Sequence, residues 1–228
     1  LFPSLKDKMT VIYNAKNPGI IRRKAAATTG DDRIDRPYLL AVERLEESQK
    51  DLTTLLEAYA LLRKTFHREE WLYIIGKGSS EEELKQKARA LGIAGRTVFL
   101  GFCANPYPWM LRSRLLVHSA KFEGLPTVLI EGLLLDKLMV ATDCPTGPRE
   151  ILDDGRAGLL VPVGDAAAFA CATDRLLNDT QLQADILQGV RDRAADFTFQ
   201  AVDSKLRELM GIRLSTDGNR RSSTTFNR

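Results

Sequence analysis

The sequence is poor in the residues that build disulfide frameworks and metal sites. Its 228 residues include two histidines and three cysteines, Cys103, Cys144 and Cys171. The cysteines are odd in number and widely spaced, and no Cys-x-x-Cys pair occurs. These features exclude a disulfide scaffold and a zinc site of ordinary spacing, and they favour a reducing compartment.

Long apolar runs and a strong net charge are absent as well. The longest apolar runs, such as 128–135, fall far short of the roughly 18 residues that a membrane span needs. The formal net charge is only +3, and the terminal segment 213–228 accounts for all of it, with four arginines against one aspartate. The bulk charge therefore gives no argument for a nucleic-acid partner. Salt-dependent binding of nucleic acid or a membrane surface through this tail is an alternative, but Phe226 is its one interleaved aromatic residue.

What is present is an ordinary globular composition, with 44% hydrophobic and 28% charged residues. A chain of this length can bury one sizeable core. It opens Leu1-Phe2-Pro3-Ser4, with neither a Met nor a signal-peptide pattern. We therefore expect it to be a piece of a longer polypeptide.

Strand-like and helix-like patterns alternate along most of the chain. Short β-branched and apolar runs predict strands, and longer amphipathic stretches predict helices. This alternation implies an α/β fold with a Rossmann-like parallel sheet flanked by helices, in one domain over residues 1–212. The tail 213–228 is predicted to be disordered because it is polar and aperiodic. The predicted strands are 10–14, 37–42, 72–75, 97–100, 115–118, 138–142 and 158–161; the helices are 52–63, 81–91, 106–111, 126–135, 149–152, 166–177, 181–194 and 199–210, and 16–37 is predicted to be a loop.

The loop after the fifth predicted strand carries two carboxylates and a helix start. Ligands of such sheets collect at the carboxyl ends of the strands. Pro126 suits the first turn of a helix because its missing N–H is not needed there, and the free N–H groups near Pro126 to Leu129 would form a site for a phosphate. Glu123 precedes that helix and Glu131 lies within it, a spacing that suits two contacts with one extended ligand. The alternative is a capping Glu and a solvated Glu.

The loop after the second predicted strand carries two cations. Arg44, as a bidentate fork, and Lys50, as a point charge, could converge on a diphosphate. The alternative is a charged surface loop.

His118 ends an apolar strand and is interpreted as a packed residue rather than a base. No Gly-x-Gly-x-x-Gly motif, Ser-His-Asp set or cluster of metal ligands can be assembled from the sequence.

Taken together, these segments resemble the C-terminal, sugar-nucleotide-binding domain of the family-4 retaining glycosyltransferases, which have the GT-B fold. The resemblance covers about residues 11–210. It is strongest over Glu123-Gly124-Leu125-Pro126-Thr127-Val128-Leu129-Ile130-Glu131, which matches the family's two-Glu signature. The other matching segments are 11–14, Arg44-Leu45 with Lys50, 141–150, 158–162 and Phe197-Thr198 with its following helix.

The resemblance implies a function and a role for each site residue. Arg44 and Lys50 would act on the donor diphosphate and Glu123 on the transferred sugar, with these three as the catalytic set. Donor binding would involve Gly101 and Phe102 at the base, Pro126, Thr127 and Val128 at the phosphates, and Glu131 at the ribose. No metal and no cofactor are expected.

The implied reaction is retaining transfer of a hexose or N-acetylhexosamine from a nucleotide sugar, with UDP as the expected nucleotide. The acceptor would be a glycan or a lipid-linked glycan bound by an N-terminal domain that this sequence lacks. The expected location is the cytoplasm, with peripheral association at the inner face of the membrane.

Two departures from the family pattern qualify these expectations. Glu43 stands where the family usually has Gly, and its carboxylate would weaken diphosphate binding unless it points away or pairs with Arg44. Residues 136–139 replace a Gly-x-Pro turn. Glu43 and the missing domain support an alternative function, a non-catalytic nucleotide-binding half-enzyme.

Overall fold

A computed structural model describes residues 10–211 as a six-stranded sheet with helices on both faces. All strand pairs are parallel, and the strand order is β3-β2-β1-β4-β5-β6. The predicted α/β, Rossmann-like architecture is therefore confirmed. The strands are β1 (Tyr38–Val42), β2 (Trp71–Ile75), β3 (Thr97–Gly101), β4 (Leu115–His118), β5 (Met139–Thr142) and β6 (Leu159–Val161).

Ten α-helices connect and cover these strands in the described residues. They are α1 (Pro18–Ala25), α2 (Glu47–Lys50), α3 (Leu52–Lys64), α4 (Glu81–Ala90), α5 (Tyr107–Arg112), α6 (Thr127–Leu134), α7 (Pro148–Ile151), α8 (Ala166–Asn178), α9 (Thr180–Ala194) and α10 (Phe199–Leu209). None of these helices within residues 10–211 is long and apolar enough to cross a membrane.

Burial explains why the strands read as continuous apolar runs. All four residues of β4 and all four of β5 are buried, as expected for a sheet that is covered on both faces. An aromatic cluster fills the core beside β1 and β2. The ring centroids of Tyr38 and Tyr73 are 4.6 Å apart, and Trp109 contacts both rings edge-on.

The predicted strand at 10–14 is wrong. Residues 10–15 have no regular structure, and Lys16 makes only an isolated bridge with Thr198. The ring of Tyr13 packs 4.7 Å from that of Phe197, and the Lys16 amide donates to the Phe197 carbonyl at 2.8 Å. This segment therefore packs against Phe197, between α9 and α10, instead of adding a strand to the sheet.

The predicted loop at 16–37 is also wrong, because it contains α1 and a 3₁₀ turn over Asp32–Asp35. Asn17 caps α1 by accepting from the Ile20 amide, and Pro18 occupies the first turn. A second short helix, α2, lies inside the charged loop that follows β1. The other predicted elements occur within one residue of their expected bounds. The predicted disordered tail 213–228 lies outside the described residues.

The strand order fixes where a ligand can bind. The chain moves from β1 to β2 and β3 on one side of the sheet, then returns to place β4 on the other side of β1. In open parallel sheets the crevice at such a switch point, outside the carboxyl ends of the strands, is the usual binding site. The loops that follow β1 and β4 therefore line this crevice.

Candidate functional site

Four ionisable side chains meet at the switch point between β1 and β4. Glu43 directly follows β1, Lys50 ends α2, His118 ends β4, and Glu123 lies in the loop after β4. Every one of these side chains is at most 11% exposed. The structure thus brings together two residues of the predicted catalytic set, Lys50 and Glu123, with Glu43 and His118, which were not in that set.

Lys50 is held against Glu123 by the backbone of two loops. Its ammonium donates to Oε1 of Glu123 and lies 3.9 Å from Oε2 of Glu43. The hydroxyl of Ser119 donates to the Lys50 carbonyl at 2.9 Å, and the Lys121 amide donates to the Gln49 carbonyl at 2.8 Å. These contacts tie the loop after β4 to α2, so the ammonium position follows from the fold.

Arg44 does not join this cluster in the structure. Its guanidinium is exposed and donates to the Gln49 side chain at 3.0 Å. Lys50, by contrast, is buried. The two cations share one loop, as expected, but in this structure they do not converge on one point.

Glu43 turns away from Arg44. Its carboxylate is 1% exposed, and Oε1 lies 3.0 Å from Nδ1 of His118. The sequence left two ways for Glu43 to be compatible with diphosphate binding, pointing away from the phosphate site or pairing with Arg44. The pairing with Arg44 is wrong. A buried carboxylate that faces His118 and Lys50 adds no exposed negative charge beside Arg44, which weakens the argument for a non-catalytic half-enzyme.

Two glycines permit the loops after β1 and β2 to touch. A Cβ atom on Gly76 would lie 1.7 Å from the Glu43 carbonyl oxygen, and one on Gly78 would lie 2.3 Å from the Leu45 carbonyl oxygen. Both contacts are with backbone atoms, so no rotamer change could relieve them. The Leu45 amide donates to the Lys77 carbonyl at 3.1 Å across this junction. Gly76 and Gly78 therefore have a structural role: they support the loop that carries Arg44 and Lys50.

The N-terminus of α6 faces the same crevice. Pro126, the predicted first residue of this helix, is its N-cap residue, one position before the observed start, and it supplies no side-chain acceptor to the first turn. Thr127 and Val128 begin the helix, with Thr127 exposed. The Leu129 amide, expected to be free, donates to the Pro126 carbonyl at 3.1 Å. The positive end of the helix dipole lies at Thr127 and Val128, where it would favour an anion.

Glu131 is anchored by two residues that sequence reasoning missed. Lys16 Nζ lies 3.0 Å from Oε1 of Glu131, and the Tyr107 hydroxyl donates to the same oxygen at 3.1 Å. Burial, together with the Glu131 charge, raises the pKa of Tyr107 to about 12, so the phenol stays a donor at neutral pH. No local sequence signal marks Lys16, which reaches Glu131 only because residues 16 and 131 meet in the fold.

Gly101 and Phe102 lie at the end of β3, beside a cavity. Phe102 is 72% exposed. It borders a cavity of about 410 Å³ whose wall includes Asn105 and Trp109.

A second, open groove of about 730 Å³ lies at the ends of β5 and β6 and is lined by Lys121, Arg149 and neighbouring residues. Among residues 10–211, no three His, Cys, Asp or Glu side chains are arranged to hold a metal ion.

The comparison with protein families shows which family the chain belongs to. Residues 36–179 match the family model described as Glycosyl transferases group 1. The chain belongs to this family. The matched range contains the switch-point crevice, with Lys50, Glu123 and Glu131, and the expected resemblance to glycosyltransferases is confirmed.

Curated relatives of this group 1 glycosyl transferase act on bacterial glycans. It is 30% identical over 190 residues to an N-acetylgalactosamine-N,N'-diacetylbacillosaminyl-diphospho-undecaprenol 4-alpha-N-acetylgalactosaminyltransferase of Campylobacter jejuni, covering 83% of this chain and 50% of the relative. It is 30% identical over 213 residues to a lipopolysaccharide 1,6-galactosyltransferase of Salmonella typhimurium, covering 88% and 56%. The chain thus spans about half the length of the curated relatives it matches.

Solved structures share the fold of this group 1 glycosyl transferase. Anabaena Alr3699/HepE in complex with UDP superposes with a TM-score of 0.75 at 22% identity, covering 89% of this chain and 57% of that one. A glycosyltransferase from Rickettsia africae gives a TM-score of 0.74 at 20% identity, covering 90% and 57%. These similarities confirm the Rossmann-like, GT-B type of architecture.

Proposed function

We propose that this group 1 glycosyl transferase binds a UDP-sugar and supplies the donor side of a retaining transfer of a hexose or N-acetylhexosamine. The observation that carries the proposal is the crevice between β1 and β4, where the Lys50 ammonium, the Glu123 carboxylate and the start of α6 lie together. A cation and a helix N-terminus suit the diphosphate, and a carboxylate suits sugar hydroxyl groups.

The proposed chemistry depends on charge that develops on the leaving group. When the bond between the anomeric carbon and the diphosphate oxygen breaks, negative charge grows on the diphosphate. Lys50, the exposed guanidinium of Arg44 and the N–H groups of Thr127 and Val128 are the donors available to stabilise it. Fixed donors of this type contribute about 2.7–4 kcal/mol each to transition-state stabilisation.

The other predicted residues fit the remaining parts of a UDP-sugar. Glu131, anchored by Lys16 and Tyr107, would accept hydrogen bonds from the ribose hydroxyls. Phe102 would present an exposed ring to the base, since the adjacent cavity of about 410 Å³ can accommodate a pyrimidine. Glu123 would orient the sugar next to the diphosphate.

The relatives support the choice of donor and acceptor. UDP is bound in the Anabaena structure, and the Campylobacter enzyme is named for a diphospho-undecaprenol acceptor. We propose a UDP-sugar donor, a glycan or lipid-linked acceptor held by a separate N-terminal domain, and action in the cytoplasm at the inner face of the membrane. Neither a metal ion nor a cofactor is part of the proposal.

Calorimetric titration of the chain with UDP tests donor binding. We expect Arg44→Ala to weaken UDP binding by about 10- to 100-fold, because it removes hydrogen bonds between two charged groups. Arg175→Ala is the matched control, since Arg175 is an exposed arginine of α8. A parent chain that gives no heat of binding at millimolar UDP would refute the proposal, and equal affinities for the parent and Arg44→Ala would remove Arg44 from the site.

Glu131→Gln tests the ribose contact. We expect this variant to bind UDP about 10- to 100-fold more weakly, because charge-assisted hydrogen bonds from the ribose hydroxyls are lost. The parent chain should lose a similar factor with 2′,3′-dideoxy-UDP, whereas Glu131→Gln should bind the two nucleotides almost equally. Glu83→Gln, at an exposed position of α4, is the control. If Glu131→Gln still preferred UDP to 2′,3′-dideoxy-UDP by the same factor as the parent, the ribose hydroxyls would not be bound by Glu131.

A further inference from the structure

Two buried ionisable residues under the site have no part in the proposed function. The side chain of Glu43 is 1% exposed and that of His118 is 2% exposed. Burying a charge is costly unless an opposite charge lies close by. The buried carboxylate and the buried imidazole at the switch point, when charged, therefore each need a neighbour of opposite charge.

His118 lies between two carboxylates. Its Nδ1 is 3.0 Å from Oε1 of Glu43, and its Nε2 is 3.5 Å from Oε1 of Glu123. A neutral imidazole carries one N–H and one lone pair, so one of these contacts would set a lone pair against a carboxylate. Only the imidazolium presents a proton to both.

The charge balance of the cluster leads to the same protonation state. Glu43 and Glu123 carry two negative charges, and Lys50 supplies one positive charge. An imidazolium at His118 makes the buried cluster neutral. Neither nitrogen of His118 and neither oxygen of Glu43 has a hydrogen bond of good geometry within the described residues, so the attraction among these groups is one of charge rather than of directed bonds.

We propose that His118 is held as an imidazolium between Glu43 and Glu123 and positions the Lys50–Glu123 ion pair. Glu43 and His118 are positioning residues, since neither carboxylate oxygen of Glu43 and neither ring nitrogen of His118 is exposed to a ligand. The second step rests on the proposed function. When the diphosphate draws the Lys50 ammonium away, His118 stays as the counter-ion of both carboxylates, so that Glu123 remains ionised and oriented toward the sugar.

The protonation state can be measured without any nucleotide. The chain has two histidines, His67 and His118. His67 is exposed with φ of 54°, a conformation that Asn tolerates, so His67→Asn gives a protein with one histidine and an intact site. At pH 7 we expect both ¹⁵N resonances of His118 at the shifts of a protonated imidazole. Adding Glu43→Gln should convert them to those of a neutral tautomer. A neutral His118 in the His67→Asn protein would overturn the proposal.

The positioning role is tested by UDP binding at one fixed pH. The phosphate of UDP itself titrates near neutral pH, so the parent and the variants are compared at pH 6. We expect the parent to bind UDP about 30-fold more tightly than His118→Gln, a typical effect of removing one member of a buried charge pair. Glu43→Gln should show the same loss, and Arg175→Ala should show none.

The ¹⁵N measurement and the UDP titration distinguish failure of the proposed function from failure of the His118 proposal. A charged His118 in a chain that binds no UDP would refute the proposed function while supporting the imidazolium assignment. Equal UDP affinities of the parent and His118→Gln, in a chain that binds UDP, would overturn the positioning role.

Discussion

Lys50→Met is expected to cost about 3–5 kcal/mol of unfolding free energy and to eliminate UDP binding at millimolar concentrations. The stability loss follows because Glu123 and Glu43, whose side chains are 9% and 1% exposed, would lose the ammonium between them. Breaking a buried ion pair by removing one partner leaves an uncompensated buried charge, which accounts for this magnitude. The loss of UDP binding follows because the buried cation of the proposed diphosphate site would be gone.

Urea unfolding at pH 7 and calorimetry with UDP measure the two effects. Lys64→Met is the matched control, because Lys64 is an exposed residue at the last turn of α3 and makes no ion pair with any of residues 10–211. Adding Glu123→Gln to Lys50→Met should recover part of the stability, since one of the two buried carboxylates is then neutral, but none of the UDP binding. If Lys50→Met unfolded at the same urea concentration as the parent, the buried ion pair would contribute nothing to stability.

The fold could be predicted because its signal is local. Each buried strand is a short apolar run and each helix has its own periodicity, so alternation alone indicated a parallel sheet. The segment 10–14 shows the limit of that reasoning. Its β-branched and aromatic residues are typical of a strand, yet Tyr13 packs against Phe197 and Arg193 instead of pairing with the sheet. The sequence pattern predicts that the segment is buried, but its packing partners depend on the tertiary structure.

The site could be predicted in its residue types but not in its pairings. Arg44, Lys50 and Glu123 were expected in the segments that follow two strand ends and Glu131 in the helix after the second of them, and these positions along the chain agree with the structure. The Lys50–Glu123 contact joins residues 73 positions apart, and it exists because β4 inserts beside β1. His118 was expected to be a packed residue, and it is buried. Its two carboxylate neighbours depend on the same strand order, which no local pattern contains.

Glu43 shows why a departure from a family pattern needs a structure to interpret it. As a sequence feature, a carboxylate in place of Gly beside Arg44 argued against diphosphate binding. In the structure the same carboxylate is turned under the site, against His118 and near Lys50. The departure from the family pattern thus places a negative charge beneath the crevice rather than on its surface.

Gly78→Ala is expected to be strongly destabilising although it removes no charge. Its Cβ would lie 2.3 Å, 2.5 Å and 2.7 Å from the O, C and N atoms of Leu45, far inside van der Waals contact. Because all three are backbone atoms, the loop after β1 must move. Such overpacking costs about 1–3 kcal/mol, and more where the backbone cannot relax. The displaced loop carries Arg44 and leads into Lys50, so UDP affinity should fall by at least about tenfold even at temperatures where the variant is fully folded.

Gly95→Ala separates this steric effect from the general cost of replacing glycine. A Cβ on Gly95 would meet nothing within 4 Å, and its φ lies outside the left-handed region, so this variant should match or slightly exceed the parent in stability. Thermal unfolding and UDP titration of both variants provide the comparison. Parent-like UDP affinity in a destabilised Gly78→Ala protein would mean that the β1–β2 junction supports the sheet alone. A loss of affinity in the folded protein would instead show that the junction sets the position of the cations at the switch point.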